Sequence, residues 1–538
     1  MLGLGIIPFI SLLLTLIPLS FILKPIIYYL QDRKGFRKYP PQNPLSGVTK
    51  LAYCWEIARP HKTIHSRRLY DQHTSTGQPV IRLGPNWLSF GRSRAARDIY
   101  GYTSGARKAA IYDTLGAGGG YHLNNISDKA QHSARRRMMS HFYAPKHIGV
   151  WERNWVADSA RDLMNQIDAL CTAKPASPYE TPRPADLKVD IVHWAALFAM
   201  ETIAKIGLSK DLRCIENGHD RFELEDPDGT KREVNIVASF HGAGRAAAMV
   251  IWDSKRFGTW VEVMKRISKR FEVNWKCGND WGAAVTKLVH ERMDRYRNGE
   301  ILDDLFTPML EGKGGEEPDI VTRDRIAETG QMVGAGIDGP AVSIITCLYG
   351  LIKYPQTFQK LRAELDTVLP AERGVAPWEQ VKNLPYLKAS IDEALRLSPP
   401  VATDLVRRTP SDGLTIDGIR VPGNTDVSIS AFTAHRDPEL FEDPEVFRPE
   451  RWIENKGTDQ MKEMLASFIP FSAGTRTCIG RNISIIQQTV CIATLVHNYD
   501  FALPDKDYEL QYEEWFNLWP LKLPVKAWKR ENFAQPME

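Results

Sequence analysis

From Leu2 to Leu23 the chain runs 22 residues without a charge, the most pronounced departure from an ordinary hydrophobic and polar mixture anywhere along it. As a helix rising 1.5 Å per residue this run reaches about 33 Å, enough to cross a hydrocarbon core of roughly 30 Å. Lys24, Arg33, Lys34, Arg37 and Lys38 put positive charge on its C-terminal side, which orients the rest of the chain toward the cytosol. A cleaved secretory signal would have a shorter apolar core, a basic residue ahead of it and a small-x-small site after it, and the run has none of these. The pattern therefore predicts a single transmembrane anchor over 1–24. Tyr28 and Tyr29 are expected at headgroup level, within a basic, proline-rich hinge over 25–50 that Pro40, Pro41 and Pro44 keep non-helical.

Beyond residue 50 the periodicity is mostly helical, and residues 51–538 are expected to form one catalytic domain. Strand signals appear at Pro79 to Leu83 and at Trp87 to Phe90, on either side of Gly84-Pro85. Gly116 to Gly120, Pro175 to Pro184 and Glu311 to Pro318 mark loops. The glycine run lacks the Gly-x-Gly-x-x-Gly register of a dinucleotide-binding turn. One long helix is predicted from Thr322, its N-cap, to Lys353, where Tyr354-Pro355 stops it. Its middle reads Gly334-Ala335-Gly336-Ile337-Asp338-Gly339-Pro340. Pro340 cannot donate to the Gly336 carbonyl, so a kink or an opened turn is expected there, with simple packing as the alternative reading.

Composition narrows the class without naming a reaction. With 538 residues, 43% hydrophobic and 25% charged, the chain is neither disordered nor a disulfide scaffold. A net charge of +4 is too even for a dedicated nucleic-acid binder, and no nucleic-acid partner is expected. Seven cysteines without paired spacing suit reduced thiols in a cytosol-facing protein, where the acceptor triplets at Asn125 and Asn482 stay unused.

The chemistry concentrates near the C-terminus, in Phe471-Ser472-Ala473-Gly474-Thr475-Arg476-Thr477-Cys478-Ile479-Gly480. Two glycines bracket Cys478 and let the backbone turn its amides toward the sulfur. Arg476 adds positive charge, and a helix predicted from about Ile479 to Asn498 places its positive end beside the sulfur. A lone thiolate without neighbouring Cys or His ligands suits one axial bond to a planar iron cofactor better than a zinc site.

These ten residues resemble the haem-binding signature of the cytochrome P450 superfamily, with Phe471, Gly474, Arg476, Cys478 and Gly480 in register. Glu393-Ala394-Leu395-Arg396 resembles the family's Glu-x-x-Arg, and Phe447 to Trp452 its meander motif. The resemblance implies a mainly α fold with small β-sheets (α+β), haem b bound through Cys478, and a structural triad of Glu393, Arg396 and Arg451. It also implies propionate contacts from His132 and Arg136 on one helix face, from Arg407 with Arg408 as a rival, and from Arg476. Arg135 and Arg137 are then left for a solvated face or for docking a reductase.

The implied activity is a monooxygenase of microsomal, fungal type, held on the endoplasmic reticulum by a single span. It would oxidise a lipophilic small molecule in secondary-metabolite biosynthesis. Its electrons would come from NADPH through a separate cytochrome P450 reductase, with cytochrome b5 as a further donor. Pocket walls are expected at Lys108 to Leu123, near Ala335, at Val401 to Leu405 and at Leu518-Trp519-Pro520. One departure matters: Asp338 keeps the family's catalytic acid position, but Gly339 and Pro340 stand where a threonine hydroxyl usually holds water for proton delivery. Haem-thiolate isomerase, dehydratase or peroxide chemistry, or a non-catalytic haem carrier or sensor, are the alternatives.

Overall fold

In the computed structural model, which describes residues 23–58, 63–116, 119–177, 180–312, 316, 318–531 and 533, helices form the bulk of the body and strands gather into small sheets. The expected anchor, apart from its last two residues, lies outside the described residues. A helix over 23–31 leads into the body and leaves Leu23, Ile27 and Leu30 exposed.

The central helix spans Thr322–Lys353 as the periodicity predicts. Its N-cap is Val321 rather than Thr322, which is already helical, and no side chain caps that end. The helix also continues through Pro340 without a break. It packs against helices Ile191–Leu208, Pro385–Leu397 and Arg481–Asn498. Ile337, Val342, Ile345 and Leu348 are fully buried at these contacts, each apolar side chain contributing roughly 1.5–3 kcal/mol by leaving water. Helices 191–208 and 322–353 are long and apolar enough to cross a membrane, but their apolar windows are 94% and 72% buried inside the body and serve as core. Over the distal end of the central helix lie two roof helices, Ile236–Val250 and Lys269–Arg297, packed on each other.

The largest sheet orders its strands Val80–Gly84, Trp87–Phe90, Asp426–Ser428, Arg407–Arg408 and Arg107–Lys108. The first two are the predicted strands. At the far edge Lys108 lies directly opposite Arg407 in antiparallel register. The proline-rich segment is non-helical and docks on the other edge, where Pro41 bridges to Arg82. Lys34 fixes it there, donating to Asn86 Oδ1, Thr425 Oγ1 and the Gly423 carbonyl. Tyr29 does not face outward at headgroup level; it packs under Arg37 and Arg82. Near the C-terminus a hairpin pairs Tyr512–Glu514 with Leu518–Pro520 and turns toward the central helix.

Candidate functional site

The Cys478 loop is closed by its own backbone: the Cys478 amide donates to the Phe471 carbonyl at 2.9 Å, and Thr477 Oγ1 to the Gly474 carbonyl at 2.7 Å. Gly474 sits at φ 66°, and a β-carbon there would come within 2.3 Å of the Tyr100 carbonyl, so only glycine fits. The following helix is Arg481–Asn498, with Gly480 as its N-cap. The Cys478 sulfur opens onto a large cavity. Burial raises the thiol above its usual range, opposed by the Gly480 amide and the charges of Arg136 and Arg481.

Behind this loop the expected triad forms a buried cluster. Arg396 grips Glu393 through two bonds of 2.9 Å, and Arg451 Nε reaches the same carboxylate at 3.0 Å. The Trp452 indole and the Arg448 amide donate to it as well. Burial pushes Glu393 up, but Arg396 and then Arg451 outweigh it and hold the carboxyl below its usual range. The remaining Arg396 donors go to the carbonyls of His435, Pro444 and Val446. His435, held down to about 3 by burial and the adjacent arginines, accepts from the Ile469 amide at 2.8 Å. The triad is thus tied to the strand of chain that enters the thiolate loop.

Facing Cys478 across the cavity are His132, Arg136, Arg407 and Arg476, joined by Lys108, which the sequence reading placed only in a pocket wall. Arg136 donates to the Thr477 carbonyl, Arg476 to the carbonyls of Ile126 and Ser127, and Arg407 to the Tyr112 hydroxyl and its own strand. Lys108 donates to Asn124 and lies over the Tyr112 ring. Arg408 turns away to pair with Asp426, which leaves Arg407 as the cavity arginine. Among the described residues none of these five cations forms an ion pair with a carboxylate. Like charges directly opposite in a ladder repel, as Lys108 and Arg407 do here. Burial and then Arg407 and Arg476 hold the Lys108 ammonium well below its usual range. Burial and then Arg407 bring Arg476 down to about 10, while burial and then Arg476 and Lys108 bring His132 down to about 4. Such a cradle fits an anion, and the two propionates of haem meet that need beside the Cys478 sulfur.

The cavity has a volume of about 1030 Å3 and continues under the roof helices, where Phe240, Trp275, Trp281, Trp515 and Phe516 make its walls largely aromatic. Leu115, Leu123, Ala335, Val401 and Leu405 line it as expected, but the C-terminal wall comes from 515–517 rather than Leu518-Trp519-Pro520. Gly339 faces open space, with nothing within 4 Å of where a β-carbon would stand. Asp338 is buried and bonded through both oxygens, to His241 Nε2 at 2.8 Å and to Asn517 Nδ2 at 2.5 Å. No local motif announces His241 or Asn517, because each meets Asp338 only across the fold. Arg135 is neither solvated nor free to dock a partner: it pairs with Asp324 at 3.1 Å and Glu328 at 3.3 Å. Those carboxylates also accept from the Tyr121 and Leu123 amides, which pins the cavity-wall loop to the central helix. Arg137 remains exposed. Among the described residues no group of three or more His, Cys, Asp or Glu side chains could hold a metal ion.

The family profile described as Cytochrome P450 matches residues 95–526. A pisatin demethylase of Fusarium vanettenii is 26% identical over 529 residues, covering 96% of this chain and 94% of its own length. A tryprostatin B 6-hydroxylase of Aspergillus fumigatus is 25% identical, covering 90% of this chain and 79% of its own. A benzoate 4-monooxygenase of Aspergillus niger is 25% identical, covering 94% and 96%. The crystal structure of the cytochrome P450DA haem domain superposes with a TM-score of 0.70 at 15% identity, over 92% of this chain and 97% of that one. It shares the fold.

Proposed function

The chain belongs to the cytochrome P450 family, and from that premise we propose that it is a membrane-anchored haem-thiolate monooxygenase. It places one atom of dioxygen into a lipophilic small molecule, using electrons from NADPH delivered by a separate reductase, with cytochrome b5 as a further donor. The observation that carries this reading is the meeting of the open Cys478 thiol with five unpaired cations on one cavity wall.

In this reading Cys478 is the axial ligand, and its loop amides hold the sulfur in place. His132, Arg136, Arg407, Arg476 and Lys108 hold the propionates and fix the plane of the ring. Bound haem supplies the electron and dioxygen chemistry, which its thiolate ligand favours. The aromatic walls hold an apolar substrate and keep bulk water out of the chamber. Electron entry is expected from the thiolate side, where the exposed Arg137 is a docking candidate. The uncharged stretch 2–23 supports a single span in the endoplasmic reticulum membrane with residues 51–538 on the cytosolic side as one catalytic domain. The fungal relatives, which include a tryprostatin B hydroxylase, support a place in secondary metabolism.

A second reading, as a haem-thiolate isomerase, dehydratase or peroxide user, is favoured by one observation: position 339 offers no hydroxyl and leaves open space. One experiment separates the two. The precursor that accumulates when the gene is deleted is incubated with holoenzyme, NADPH, reductase and isotopically labelled dioxygen. The monooxygenase reading expects one labelled oxygen per product and none with Cys478→Ser; unlabelled product, or product formed without NADPH, overturns it.

A further inference from the structure

Asp338 stands where three elements meet. The central helix supplies the carboxylate, the roof helix Ile236–Val250 supplies His241, and the turn of the C-terminal hairpin supplies Asn517. His241 Nε2 bonds one carboxylate oxygen and Asn517 Nδ2 donates to the other. Both Asp338 and His241 are almost fully buried, and the imidazole lies against Trp515 and Trp519, with ring centroids 4.9 and 4.3 Å away. One turn further along the roof helix, Arg245 pairs with Glu513 on the same hairpin and covers the Trp515 ring. Between these two links Gly244 packs on Trp515 so closely that a β-carbon would fall 2.6 Å from the indole nitrogen. The roof helix is therefore fastened to the hairpin at a half-exposed end and at a buried end, and the buried fastening passes through Asp338.

A buried carboxylate needs strong donors. Here both oxygens already have side-chain donors, so the group is held as a fixed acceptor rather than left with a free edge toward the cavity. We propose that His241 and Asn517 are positioning residues that make Asp338 the closure latch of the substrate chamber, holding the roof helix and the hairpin shut over the space beside Gly339. In this arrangement the latch, and not a hydroxyl at 339, orders the distal wall. The inference rests on reading the cavity as the chamber above a haem.

The test uses purified holoenzyme and 4-phenylimidazole, a lipophilic haem ligand small enough for the chamber. His241→Leu and Asn517→Leu should each speed its dissociation about 10-fold, the loss of one hydrogen bond to a carboxylate. Both should also speed backbone amide exchange in 236–250 and 512–520. His241→Gln, which can still present a donor at the same height, should restore both readouts toward the parent values. Unchanged dissociation and exchange in the leucine variants would overturn the latch, as would a glutamine variant no better than leucine. If the parent protein gives no spectral response to 4-phenylimidazole while exchange still rises in the leucine variants, the haem-chamber reading fails and the latch stands.

Discussion

The two sides of the thiolate site handle buried charge in opposite ways. Behind Cys478, the Glu393 carboxylate receives Arg396, Arg451, the Trp452 indole and a backbone amide, and the spare arginine donors end on carbonyls. Across the cavity, Lys108, His132, Arg136, Arg407 and Arg476 crowd together with no carboxylate among them. The first cluster is complete when the chain has folded. The second is complete only when an anion joins it. A buried charge network thus marks framework where its partners come from the chain, and a binding site where they do not.

Breaking the framework should have the largest effect. Glu393→Gln leaves two buried guanidinium groups short of their counter-charge, at a cost of about 3–5 kcal/mol. The fraction of purified protein that is folded and haem-loaded should collapse, in both urea titration and absorbance. Arg407→Met should act with opposite signs on the two states. Removing one of several like charges leaves the apoprotein as stable as the parent or more so, while haem dissociates about 10-fold faster for want of a charge-assisted hydrogen bond. Apoprotein melting and haem transfer to an acceptor protein read the two effects separately, and a destabilised apoprotein would show that Arg407 belongs to the framework. The smallest effect is expected at Gly339→Thr, where the open space accepts the side chain. Helix propensity changes there by only a few tenths of a kcal/mol. Melting should stay near the parent value, and the peroxide released per electron pair should fall if the absent hydroxyl limits proton delivery. Unchanged peroxide would count against a role for that position.

Much of the framework side was legible in the sequence. The Phe471 to Gly480 run, the Glu393 and Arg396 pair and the long helix to Lys353 are local patterns, written within a few turns of chain. The distal side was not. Asp338 was visible as an acid in an apolar helix, but its partners lie 97 and 179 residues away. His241 sits in a run of glycine and alanine that reads as ordinary packing, and Asn517 in a turn. Arg135 was taken for a surface charge because a helix face shows its neighbours three and four residues away, not the carboxylates of another helix.

The sequence by itself determined the chemistry the chain can hold: a lone cysteine in a glycine-bracketed loop, an acid and arginine one turn apart, and an uncharged stretch long enough to span a bilayer. Tertiary structure decided which charges are paired and which await a ligand. It set Lys108 against Arg407, turned Arg408 away to Asp426, buried Arg135 on the central helix and closed His241 and Asn517 around Asp338. The reason is physical: side-chain chemistry and short-range spacing travel with the chain, whereas the burial and partners that give a charge its role exist only once distant segments pack together.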